Sequence, residues 1–268
     1  MIVLLLAILL VMAVVMTVGW ICQRAAQDGG WTDVFWTFGT GATLALAALV
    51  PAAGSAAPTL RQVLIAVLVG GWALRLGVYI ALRVAKGPED ARYAALRAEW
   101  GAAFQGRMFL LMIVQAPATA LLGVSVLTAA RAPGTALNGR DLLGAVVLLA
   151  AILGEGWADR QMKRFKADPA NKGRVCDQGL WACSRHPNSL FEALGWFAYP
   201  VIGWRPEAPW TLAAWIAPVV MGLLLRFGTG VPPLEAAQLR SKGEAYRRYQ
   251  ARGSPFLPRP PRRPSERV

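Results

Sequence analysis

Apolar residues along this chain fall into long blocks separated by short polar or basic stretches. From Ile2 to Gly19 the run is almost unbroken, and with its flank to residue 22 it reaches the ~20 helical residues that a bilayer core requires. It has no basic n-region and is longer than a typical signal-peptide core, so it predicts a first transmembrane helix. Further blocks run from about Trp31 to Val50, Leu60 to Leu82, Met108 to Ala130, Asp141 to Trp157, Pro187 to Gly203 and Trp210 to Thr229. The pattern predicts an all-α, polytopic membrane protein with seven transmembrane helices in one integral-membrane domain, residues 1–258. Residues 259–268, ending the Pro258-Arg-Pro-Pro-Arg-Arg-Pro stretch, are expected to form a disordered basic tail.

Composition supports the membrane class: 56% of the 268 residues are hydrophobic and only 16% charged. A net charge of +13 could point to nucleic acid in another protein. Here the cations concentrate in the 83–107 and 160–185 loops and in the tail from Arg240, so orientation and lipid headgroups explain them and no nucleic-acid partner is expected. Seven spans put those three segments on one side. The positive-inside rule then places the N-terminus outside and the C-terminus in the cytoplasm, in an inner (plasma) membrane. Cys22, Cys176 and Cys183 lack metal-ligand spacing and read as spectator thiols. No metal site, internal repeat or Gly-x-Gly-x-x-Gly fingerprint is found, and a monomer is expected.

Chemistry concentrates between Gly179 and Glu192, which holds the only histidine, His186, with Arg185, Asn188 and Glu192 where an apolar block begins. Polar groups at such a helix mouth are expensive unless paired or solvated, which makes the stretch a candidate site. Glu155 and Asp159 lie one helical turn apart at the end of the fifth block. They suit hydrogen bonding to a ribose or carboxamide, or else they pair with nearby arginines and close the bundle. Lys163, Arg174 and Arg185 can surround an anionic cofactor. Asp33 is either a charge complementing the dipole of its helix N-terminus or a site residue. Trp72, Arg75 and Tyr79 share one helical face, which either looks inward or forms an interfacial belt with Arg75 snorkelling.

Several motifs carry a resemblance over essentially the whole chain: Gly154-Glu155-x-x-Ala158-Asp159-x-Gln161, Asp168-Pro-Ala-Asn171, Ser184-Arg-His-Pro-Asn188 with Glu192, Leu234-Glu235-x-x-x-Leu239, and Tyr246-x-x-Tyr249-Gln250. The chain resembles the bacterial membrane family of unknown function that is similar to steroid 5-alpha-reductases. The wider group also includes sterol reductases and isoprenylcysteine carboxyl methyltransferases. That resemblance implies an oxidoreductase with a cofactor-binding half, residues 141–258, that takes NADPH from the cytoplasmic side. The membrane half, residues 1–130, would hold a steroid-like or other lipid whose conjugated C=C bond accepts a hydride. By the same resemblance Asp159, Lys163, Arg174, Arg185, His186, Asn188, Glu192, Glu235 and Tyr246 bind the cofactor. The reductases place a tyrosine in span three and a glutamate in span two as the acid pair. Here Trp72 stands where that tyrosine is expected, leaving Tyr79 and Asp33 as the candidate catalytic residues. Two alternatives are an S-adenosylmethionine-dependent methyltransferase, which shares the Arg-His-Pro motif, and a non-catalytic lipid-binding protein.

Overall fold

The computed structural model describes residues 1–52, 54–134 and 136–259, and the regular structure within them is helical. Of the expected disordered tail only Arg259 falls among these residues; 260–268 lie outside them.

Helix α1 (Ile2–Ala26) shows why the first block belongs in a membrane. Ile8, Met12, Met16, Gly19 and Gln23 form its single buried stripe, while Ile2, Leu6, Leu10, Val14 and Ile21 are exposed. An apolar face without a protein partner is at home only against lipid, where the helix satisfies its own backbone. Next come α2 (Trp31–Leu49) and α3 (Leu60–Lys86), the latter opened by a reciprocal capping box between Thr59 and Gln62. Small residues let the two helices approach closely. A methyl group at Gly77 would come within 2.7 Å of the Phe38 ring, and one at Gly41 would collide with Ala73.

Helices α4 (Ala91–Trp100), α5 (Phe104–Ile113) and α6 (Gln115–Ala130) form a nearly continuous run, followed by α7 (Gly139–Ala167). Shorter helices complete the chain: α8 (Leu180–Cys183), α9 (Pro187–Gly195), α10 (Ala198–Gly203), α11 (Ile216–Phe227), α12 (Val231–Lys242) and α13 (Glu244–Arg252).

Among the described residues, five helical stretches are long and apolar enough to cross a membrane: Ile2–Ala26, Leu60–Lys86, Ala91–Ala130, Gly139–Ala167 and Pro209–Lys242. The block expected as span two is α2, whose Trp, Thr, Gly and Asp33 content leaves it outside that set. The block expected as span six is not one helix. A turn at Trp196–Phe197 divides it into helices of nine and six residues. Pro200 explains the break, because it cannot donate to the Trp196 carbonyl and its ring crowds that group.

The chain divides into two compact units. The first comprises residues 1–146 and 197–220, the second 147–196 and the described residues from 221 onward. In the first unit Arg61, only 1% exposed, donates to both Asp141 oxygens, from Nε at 2.7 Å and from Nη2 at 3.1 Å. Its guanidinium also donates to the carbonyls of Ala132 (2.8 Å) and Ala136 (3.0 Å), which fixes the turn between α6 and α7. Such a pair supports the fold only because every donor finds an acceptor. The second unit carries the polar cluster.

Candidate functional site

Within the second unit, α7 packs on α9 through glycines. A Cβ at Gly195 would sit 3.1 Å from Leu148, and one at Gly154 would strike the Phe191 ring. Trp181 of α8 donates from Nε1 to the Ala158 carbonyl at 3.0 Å, and Gln161 Oε1 accepts from the Leu180 N–H at 3.0 Å. Gly179, at φ 58°, lies so close to Gln161 that a Cβ would come within 2.6 Å of the amide. Only glycine meets both demands.

The Ser184-Arg185-His186 segment enters α9, with Pro187 in the first turn, where its missing N–H costs nothing. Ser184 Oγ donates to the Phe256 carbonyl at 2.8 Å, and the Arg185 N–H donates to the Ser254 carbonyl at 2.9 Å. The tail residues 253–259 are thereby tied to the histidine motif.

Glu235 of α12 is the hub of this assembly. Its carboxylate accepts from Arg185 Nε at 2.6 Å, Gln250 Nε2 at 2.9 Å, His186 Nε2 at 3.2 Å and Tyr246 Oη at 3.5 Å. A carboxylate only accepts, so the His186 Nε2 facing it carries the proton. Arg185 spends its remaining reach on the carbonyls of Gln250 (2.9 Å) and Gly253 (2.6 Å). Burial and the Glu235 charge push the Tyr246 phenol well above its ordinary value, so its hydroxyl stays a donor. Tyr249 donates to the Trp181 carbonyl, and burial followed by the neighbouring Tyr246 raises it in the same way.

Four of the residues expected at the cofactor, Arg185, His186, Glu235 and Tyr246, therefore come together in one network whose hydrogen bonds are made within the protein. The other five are differently placed. Glu192, one turn beyond Asn188, accepts from Trp196 Nε1 at 3.0 Å, and both Glu192 and Asp159 are buried. Glu155 is buried beside Asp159 on α7. Asn188 presents a buried side-chain oxygen, Oδ1, that no donor meets among the described residues. Lys163 and Arg174 are exposed cations, and Arg174 Nη1 donates to Asn171 Oδ1 at 3.4 Å.

In the first unit, Asp33 is engaged by Arg92 Nη2 at 2.6 Å and by Tyr93 Oη at 2.8 Å. Asp90 accepts from Arg92 Nε at 3.0 Å, so α4 is pinned to the start of α2. Tyr79 packs against Val34, Ile80 and Val84, with the Arg75 guanidinium 5.6 Å from its ring centre. Residue-by-residue reading of the sequence does not single out Trp181, Ser184 or Trp196 as partners of the cluster. Their contributions are indole and hydroxyl hydrogen bonds across 4 to 72 positions, which leave no local signature.

Residues 19–253 match a family described as "Protein of unknown function (DUF1295)". The chain belongs to the DUF1295 family. No curated protein and no solved structure matches the chain. In this DUF1295 protein the match takes in both the Glu235 network and the Asp33–Arg92–Tyr93 clip.

Proposed function

We propose that this DUF1295 protein is a membrane-embedded, NADPH-dependent reductase of a C=C bond conjugated to a carbonyl in a hydrophobic, steroid-like or other lipid substrate. The observation that carries this reading is the buried Asn188 Oδ1 with no donor against it. It lies on the same helix face as the buried Glu192, in a unit that also buries Glu155 and Asp159. A buried acceptor such as Asn188 Oδ1 calls for a donor, and a nucleotide brings one as a ribose hydroxyl or a carboxamide. Exposed Lys163 and Arg174 offer charge for its phosphates, with a 2′-phosphate favouring NADPH over NADH. The Glu235 network does not reach for the ligand in this account. It fixes the His186–Asn188 turn and so positions Asn188.

Bound cofactor would supply a hydride to the conjugated carbon. The enolate that develops needs a proton at its other end. Of the two candidate donors, the Tyr79 phenol carries an O–H to give, whereas the Asp33 carboxylate accepts from Arg92 and Tyr93. The architecture that goes with the proposal has seven crossings, with α2 and the α9–α10 pair added to the five long stretches. The basic 83–107 and 160–185 segments and the C-terminus then face the cytoplasm across a plasma membrane.

The test is anaerobic oxidation of NADPH by purified protein in lipid nanodiscs offered a set of enone lipids. Turnover that disappears in Tyr79→Phe and in Asn188→Ala is expected. No NADPH oxidation with any enone, together with methyl transfer from S-adenosylmethionine, would replace this reading with the methyltransferase one.

A further inference from the structure

The first unit has a second polar feature, at the end of the helices where the 131–140 turn meets the 204–211 loop. Arg140 Nη1 and Arg205 Nη1 both donate to the Trp204 carbonyl oxygen, at 2.6 Å and 3.0 Å. Two full positive charges thus converge on one neutral acceptor. Arg205 is 7% exposed, and its Nη2 is buried without a hydrogen-bond partner among the described residues. Its position is built rather than incidental. The Arg205 Nη1 also donates to the Ile202 carbonyl at 2.8 Å, and the Thr211 hydroxyl accepts from the Arg205 N–H at 2.8 Å.

The carboxylates that act on Arg205 are Asp141 and the exposed Glu207, two residues along the chain. Both Asp141 oxygens are taken by Arg61, and neither Arg140 nor Arg205 forms an ion pair among the described residues. Burial, then the charges of Arg61 and Arg140, push the Arg205 guanidinium below its ordinary value. A buried cation in such a position is costly unless an anion completes it.

What lies around the two arginines indicates which anion. Trp204, Trp210 and Trp215 are 36%, 48% and 38% exposed on the same segment, the placement of indoles at a headgroup layer. Beside Asp141 opens a mostly apolar groove of about 240 Å³ walled by Leu64, Leu137, Leu142 and Ala145. Leu142 is 69% exposed, so this groove faces the lipid.

We infer that this end of the first unit holds an anionic glycerophospholipid, its phosphodiester bridging Arg140 and Arg205 and an acyl chain lying in the Leu64–Leu142 groove. The guanidinium fork matches a phosphate, and the groove takes a chain that free phosphate does not have. A headgroup that carries its own cation would bring a positive charge to a place already holding Arg61, Arg140 and Arg205, so phosphatidylglycerol is favoured over phosphatidylcholine. None of the residues invoked here belongs to the unit that holds Asn188, and the inference stands whether or not the protein reduces anything.

Native mass spectrometry of the delipidated protein, titrated with phosphatidylglycerol, phosphatidylcholine or inorganic phosphate, tests it. One phosphatidylglycerol is expected to bind, with affinity that falls as salt rises. Arg140→Gln, an exposed change that leaves folding intact, should weaken it by about tenfold. Arg247→Gln, which removes an exposed cation elsewhere, should bind as wild type. Equal retention of phosphatidylcholine, an Arg140→Gln affinity equal to that of Arg247→Gln, or inorganic phosphate that displaces the lipid at equal concentration would each overturn the assignment.

Discussion

Replacing Glu235 with glutamine removes one charge and keeps the side chain's shape, so it isolates the hub of the second unit. The carboxylate takes four donors, and the closest is Arg185 Nε at 2.6 Å. Glutamine retains one acceptor oxygen and turns a donor toward groups that are themselves donors. Breaking a fully buried pair costs about 3–5 kcal/mol, whereas exposed pairs are worth about 1 kcal/mol or less. The Arg185 side chain is 9% exposed and that of Glu235 17%, which places the loss nearer the buried end, at about 2–3 kcal/mol. For a chain of this size that corresponds to about 5–10 °C in the midpoint of thermal unfolding. Hydrogen exchange would locate the damage: amides of α13 and of 253–259, tied to Arg185 and Ser184, should lose protection while those of α1 keep theirs. An unchanged midpoint with protection of 253–259 intact would refute the hub.

Asp33→Asn should lower stability by about 1–3 kcal/mol and expose α4 to exchange, since it weakens the bonds from Arg92 and Tyr93; full stability with lost turnover would make Asp33 the proton donor instead. Gly179→Ala forces a side chain into a left-handed turn against Gln161 and should cost about 1–3 kcal/mol, read as a lower unfolding midpoint. Burial raises the Asp90 carboxyl, but the hydrogen bonds and charge of Arg92 outweigh it and hold the group below its usual range. A depressed carboxyl adds stability that is present above the unfolded value of about 4 and is lost as pH falls through the folded value. The unfolding midpoint should therefore drop on acidification below about pH 4, and Asp90→Asn should flatten that dependence.

Long uniform blocks such as α1 and α3 are legible in the sequence because the bilayer asks only for length and apolarity. The break at Trp196–Phe197 is written in Pro200, but a hydropathy pattern passes over a single proline in an apolar block. Helices α12 and α13 leave no such pattern. They are short, polar and separated by Gly243 at φ 52°, and their purpose is the long-range pairing of Glu235 and Tyr246 with Arg185 and His186. Nothing local to residues 235 or 185 specifies that pairing. Asp33 illustrates the opposite limit. Its position at a helix N-terminus was plain, yet its partners Arg92 and Tyr93 lie 59 and 60 positions away, and they decide its role.

If NADPH supplies the donor that the buried Asn188 Oδ1 lacks among the described residues, the cofactor must stabilise the purified protein. At a hundred times the dissociation constant, ligand binding adds about 2.7 kcal/mol to stability. NADPH should raise the unfolding midpoint of the wild type by several degrees, with little or no shift in Asn188→Ala. An unchanged midpoint with NADPH, or an equal rise in Asn188→Ala, would contradict the account.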